Sequence, residues 1–84
     1  MIEAFPREVI SDVPRITLTG RNMLHVEQHK GLVAYQHDHI ELRTASGMLV
    51  VTGNGLVFSM YDAAEAVVTG EIDGVTLRQM GGTR

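Results

Sequence analysis

Four histidines in a chain of 84 residues are the first candidates for chemistry. His37 and His39 lie two apart, and His25 and His29 flank Glu27. Alternate residues of a strand share a face. A continuous strand through 37–39 would therefore offer a His-x-His pair of the kind that holds zinc in β proteins. His25, Glu27 and His29 would share a face by the same rule. In the strand register argued below, His25 and His29 point away from His37, so the four converge only if the chain breaks at Asp38. The expected reading is surface or rim histidines with no metal site, and His37 with His39 is the alternative as a small ligand- or metal-binding site.

Other chemistry has less support. Ser46 and Ser59 lack the strand-to-helix elbow that exposes a nucleophile. Glu65, Glu71 and Asp73 are close in sequence, but acids beside turns are commonly solvated or bonded to local backbone. Gly53-Asn54-Gly55 precedes a strand, so no helix amino terminus follows to cradle a phosphate. No catalytic or cofactor-binding residues are assigned, and an enzyme is not expected. Leu56, Phe58 and Met60 form an apolar stripe with Tyr61. The stripe serves either as core or as an interaction face.

The elements that would position these residues are strands. In His39–Gly53, Ile40, Leu42 and Thr44 alternate with Glu41 and Arg43, and Leu49 and Val51 alternate with Val50 and Thr52. This is the period of half-buried strands. A two-residue turn at Ser46-Gly47 would set Leu42 opposite Val51 and Thr44 opposite Leu49. The hairpin is expected at the centre of the sheet. Arg15–Thr19 is expected as the first strand, with Ile16 and Leu18 inward. Met23–His29 and Leu32–His37 would pair around a Lys30-Gly31 turn, setting Val26 opposite Tyr35 and Leu24 opposite His37. Further turns are expected at Gly53-Asn54-Gly55, at Asp62–Glu65 and at Asp73-Gly74. Pro6 suits the first position of a short helix over 5–13, with an extended arm as the alternative. Residues 81–84 read as a flexible tail. The total of about seven to eight short strands predicts one all-β domain over 1–84, folded as a small antiparallel sandwich or partly open barrel.

Composition narrows the partners. The seven basic and ten acidic side chains give a net charge of −3, and the bases are scattered, which argues against a nucleic-acid surface. Cysteine is absent, so neither disulfides nor thiolate metal sites support this small core. Self-association, as a homodimer, is the remaining common remedy. No apolar run approaches the roughly 20 residues that span a bilayer, and a soluble, cytoplasmic protein without direct membrane insertion is expected.

P-R-I-T-L-T-G at 14–20, H-K-G-L-V at 29–33, I-E-L-R-T-A-S-G-M-L-V-V-T-G at 40–53 and V-T-G-E-I-D-G-V at 68–75 carry a further indication. Together and in this order they resemble the YabP/YqfC family of sporulation proteins of endospore-forming bacteria. The leader F-P-R-E-V-I-S-D-V-P-R-I favours the YqfC branch, and the resemblance runs from Phe5 to Leu77. It implies a β-sandwich-like domain made in the mother cell, without enzymatic activity, acting through protein–protein contacts in forming the spore coat or cortex. It also implies a membrane protein of the YqfD type as partner, and through it a peripheral place at the forespore membrane. The histidines of 25–39 and the apolar Ala63, Ala64, Ala66 and Val67 depart from the family pattern.

Overall fold

The computed structural model describes residues 13–79. Six strands follow in order: β1 (Arg15–Thr19), β2 (Met23–Glu27), β3 (His29–Gln36), β4 (His39–Thr44), β5 (Gly47–Tyr61) and β6 (Glu65–Arg78). They form one antiparallel sheet in the order β1-β2-β6-β5-β4-β3, and the described residues contain no helix.

The long β5–β6 hairpin is the spine. The β3–β4 hairpin joins the first part of β5, and the β1–β2 hairpin joins the first part of β6. Midway along, the β5–β6 ladder slips between Thr52 and Gly53 and again between Asn54 and Val57. Such bulges bend a sheet, and two glycines let the strands approach closely there. A Cβ on Gly53 would lie 1.9 Å from the Glu71 carbonyl oxygen. One on Gly70, which sits at φ 133°, would lie 2.5 Å from that of Gly55. The flanking hairpin turns bond to the same region. Gly53 N–H donates to Asp38 O (3.1 Å) and Leu56 N–H to His37 O (2.7 Å), while Gly70 N–H donates to Asn22 O (3.2 Å) and Ile72 N–H to Arg21 O (2.8 Å).

The sheet thus divides into a tip half (β1, β2, the start of β6, the end of β5) and a base half (β3, β4, the start of β5, the end of β6). The two halves share one core. Leu24, Val26, Ala66 and Val68 come from the tip, Ile40, Leu42, Leu49 and Val51 from the base, and Leu56 and Ile72 from the bend. Burying each large aliphatic side chain contributes roughly 1.5–3 kcal/mol. No single flat sheet could leave eight of these ten with no exposed surface, as here. The all-β, antiparallel expectation holds. The expected small sandwich or partly open barrel of about seven to eight short strands differs in detail: six strands form one open sheet bent over its own core.

The miscounted strands have a common cause. Gly53-Asn54-Gly55 and Asp73-Gly74 are not turns; they lie inside the 15-residue β5 and the 14-residue β6. Lys30-Gly31 is also no turn. The chain bends at Gln28, at φ 67°, without reversing: β3 begins at His29, keeps the sense of β2 and pairs with β4 at the far side of the sheet. Leu24 and Val26 consequently face Val68 and Ala66, apolar partners from β6, not His37 and Tyr35. In the β4–β5 hairpin the loop is Ala45-Ser46, with Leu42 opposite Leu49 and Ile40 opposite Val51. The Thr44 hydroxyl closes it, donating to Gly47 O (2.7 Å) and accepting from Ser46 N–H (3.1 Å). The two-residue displacement preserves every inward and outward assignment, because side chains alternate with period two. Strand β5 is central as expected, whereas β4 is next to the edge. Leu18 shares the Ile16 face yet stands 48% exposed on the edge strand. The Asp62–Glu65 turn forms as expected. The helix expected over 5–13 lies, apart from Val13, outside the described residues, as does the tail 81–84.

Candidate functional site

The structure separates the histidines. His37 sits in the β3–β4 turn and His39 begins β4, so the pair does not share a strand. His39 Nε2 lies 2.6 Å from Glu41 Oε2. His25 stands on the outer face of the tip, its Nε2 3.2 Å from Glu65 Oε1 and its Nδ1 3.9 Å from Glu27 Oε2. His29 is buried and serves the fold. Its Nδ1 accepts from Gly31 N–H (3.1 Å), which leaves Nε2 to carry the proton donated to Asp62 O (2.8 Å). Its backbone N–H reaches Ala64 O (3.0 Å), so both ends of this residue tie β3 to the β5–β6 turn. Among the described residues no three His, Asp or Glu side chains gather as a metal site.

The same turn holds Asp62. Asp62 Oδ1 accepts from the backbone N–H groups of Ala64 (2.9 Å) and Glu65 (2.7 Å). These two bonds hold its pKa below the ordinary carboxylate value, with a smaller contribution from His29. The carboxylate is thereby committed to local structure.

The apolar stripe of Leu56, Phe58, Met60 and Tyr61 is split by a bulge. Phe58 faces Val68, Met60 faces Val67 and Tyr61 faces Ala66, so Ser59 is the extra residue. Leu56 is buried in the core. Phe58 and Tyr61 remain on the inner side, where a chain of rings closes the seam between the halves. The ring centroids are 5.0 Å apart for Tyr35–Phe58, 5.2 Å for Phe58–Tyr61 and 5.1 Å for Tyr61–His29. Met60 goes to the outside.

On the outer face of the tip, the registers lay out successive rows. Thr19, Met23, Thr69 and Val57 form one, and Thr17, His25, Val67 and Met60 the next. Arg15, Glu27 and Glu65 follow. Met23, Val57 and Met60 are 43%, 48% and 37% exposed, and Val67 between them is half-buried. The matching rows of the base are Gln36-His39-Thr52-Gly74, Ala34-Glu41-Val50-Thr76 and Gly31-Arg43-Met48-Arg78. None of these carries an exposed large apolar side chain. The sequence offered Met60, with Leu56, Phe58 and Tyr61, as either core or interaction face, and did not single out Met23, Val57 or Val67. Alternation along β2 and along β6 signals two of them, whereas Val57 joins Met60 only through the bulge.

A six-stranded antiparallel sheet bent over one core, with an apolar patch on the outer face of its tip, defines a small all-β domain. Comparison with known proteins places it further. The model of the YabP family matches residues 11–84. The chain is also 31% identical over 68 residues to the uncharacterized protein YqfC of Bacillus subtilis (strain 168), covering 81% of this chain and 73% of YqfC. The chain belongs to the YabP family.

Proposed function

We propose that this chain is a non-enzymatic sporulation protein that acts through protein–protein contacts in forming the spore envelope, in the mother cell. The family supports the sporulation setting. The mode of action is carried by one observation: large apolar side chains stand well exposed on the outer face of a 9.2 kDa domain, while His29, His39 and Asp62 are engaged in local structural bonds. Exposed apolar surface beyond single scattered residues marks an interaction site. Self-association and a YqfD-type membrane protein at the forespore membrane are the partners this reading carries.

Deletion of the gene in its own spore former tests the setting. Vegetative growth is expected to continue unchanged while heat- and lysozyme-resistant spores fall, with restoration by the wild-type gene. Spores of full resistance from the deletion strain would refute the sporulation role. Light scattering on the purified chain over a dilution series tests the homodimer.

A further inference from the structure

We propose that the outer face of the tip half docks a basic amphipathic helix of another protein. Met23, Val57, Met60 and Val67 would supply the apolar floor, and Glu27, Glu65 and Glu71 the acidic ends. The proposal rests on the reading of this chain as a protein-contact domain and names the surface and the chemistry of its partner.

The first observation is an internal comparison. Tip and base are built alike, yet the outward rows of the tip hold the exposed Met23, Val57 and Met60, whereas Met48 and Val50 in the base rows are half-buried and the exposed Val33 sits at the β3 bulge, outside the paired rows. Solubility demands of a small domain apply to both faces, so the base is the control for what an ordinary solvated face looks like here. Methionine suits a docking floor because its unbranched, polarizable side chain adapts to a partner's shape.

The second observation is charge. Glu65, Val67, Thr69 and Glu71 alternate on one face of β6, and Glu27 lies opposite Glu65. The apolar floor is therefore bounded by carboxylates at both ends. Against them stand Arg15, 3.8 Å from Glu27, and His25. This balance favours a partner with lysines or arginines flanking its apolar stripe. It disfavours a second copy laid face to face, which would oppose Glu27, Glu65 and Glu71 to their own kind, and an anionic membrane surface. The leader is a poor occupant for the same reason, since residues 1–12 hold Glu3, Glu8 and Asp12 against Arg7.

The third observation concerns shape. In this part of the sheet β6 is paired on both sides, to β2 and to β5, so its backbone offers no edge for an added strand. A partner laid on this face therefore meets side chains, whereas β1 is the edge strand of the tip. Three strands at a spacing of about 4.8 Å make a floor roughly 10 Å across, the width of one helix.

The test titrates the full chain with a synthetic Leu/Lys amphipathic peptide of about 14 residues, long enough for an apolar stripe, and follows backbone amides by heteronuclear NMR. A Leu/Glu peptide of equal length is the counter-probe. Shifts are expected at Met23, Val57, Met60 and Val67, and added salt should weaken binding. Val57→Lys and Met60→Lys should each weaken it about tenfold or more, with the melting temperature unchanged. Thr76→Lys, on the outer face of the base, should bind as wild type does. Shifts confined to other residues, equal binding of the Leu/Glu peptide, or full affinity in both variants would overturn the proposal. So would a dimer that Met60→Lys dissociates, which would assign the face to a second copy. Movement of the Val57 and Met60 amides on Ile10→Asp would assign it to the leader and overturn the proposal too. Any of these outcomes leaves the sporulation role standing, because spore resistance decides that separately.

Discussion

In the base half, the outward side chains of β4 and its neighbours are His39, Glu41, Arg43, Thr52, Thr76 and Arg78 with the half-buried Met48 and Val50, and His39 and Glu41 bond to each other. In the tip half, the equivalent positions hold Met23, Val57, Met60 and Val67, with His25 and the glutamates around them. Both halves are a two-stranded hairpin laid against one arm of β5–β6, and both send aliphatic side chains to the same core. The inner faces are alike because a chain this small needs every large inward side chain it has. The outer faces carry no such constraint, so their difference reflects what each face meets. Water meets the base, and we assign a partner to the tip.

The sharpest way to break this comparison is to remove the bend that creates the two halves. Gly70→Ala combines a φ of 133° with a Cβ 2.5 Å from the Gly55 carbonyl oxygen. A loss of about 3 kcal/mol or more is expected, enough to unfold a marginal domain, read as a collapsed thermal transition. A melting temperature equal to wild type would show that the bend tolerates a side chain and that the halves are not held as described.

Next in size is His29→Ala, which removes the ring that accepts from Gly31 N–H, donates to Asp62 O and stacks on Tyr61. About 2–3 kcal/mol is expected from the lost bonds and the cavity. Amide exchange should rise at β3 and at 62–65 before the rest of the sheet. Uniform loss of protection would mean that the seam does not open independently.

Thr44→Val sits in the base alone. It deletes the hydroxyl that closes the Ala45-Ser46 loop at a buried position. A cost of about 1–2 kcal/mol is expected by denaturant titration, without change in the outer face of the tip. An unchanged midpoint would discount this closure.

The smallest effect belongs to Asp62. Its folded-state pKa lies below the ordinary value, with the Ala64 and Glu65 N–H groups as the main cause. The associated stability is therefore present above the unfolded-state pKa and is lost as pH falls through the folded-state value. Asp62→Asn should therefore lower stability slightly at neutral pH, slightly because the turn is exposed, and its stability curve should converge on that of wild type below about pH 4. An identical acid-unfolding curve would remove Asp62 from the account.

The core, more than the candidate site, was visible as alternation. Inward Leu24, Val26, Ile40, Leu42, Leu49 and Val51 follow from period two in each strand, whatever the register, and a two-residue slip in the β4–β5 hairpin left their faces intact. The Asp62–Glu65 turn was likewise legible, because its carboxylate satisfies backbone donors two and three residues on. What the residues did not disclose is the use of glycine. Gly-rich stretches at 53–55 and 73–74 carry the chemistry of a turn and the chemistry of a bulge equally well.

By itself, then, the sequence determined that the chain is all-β, which side chains face inward, and where the β5–β6 reversal falls, because these depend on residues within a few positions of one another. The tertiary structure alone decided that β2 pairs with β6, that the chain bends at Gln28 so that β3 pairs with β4, and that His37 and His39 part company. It also decided that Ser59 bulges, which turns Met60 outward beside Val57 and Tyr61 inward toward His29. Those outcomes depend on long-range pairing between strands and on carbonyls that approach only glycine, interactions that no local pattern encodes.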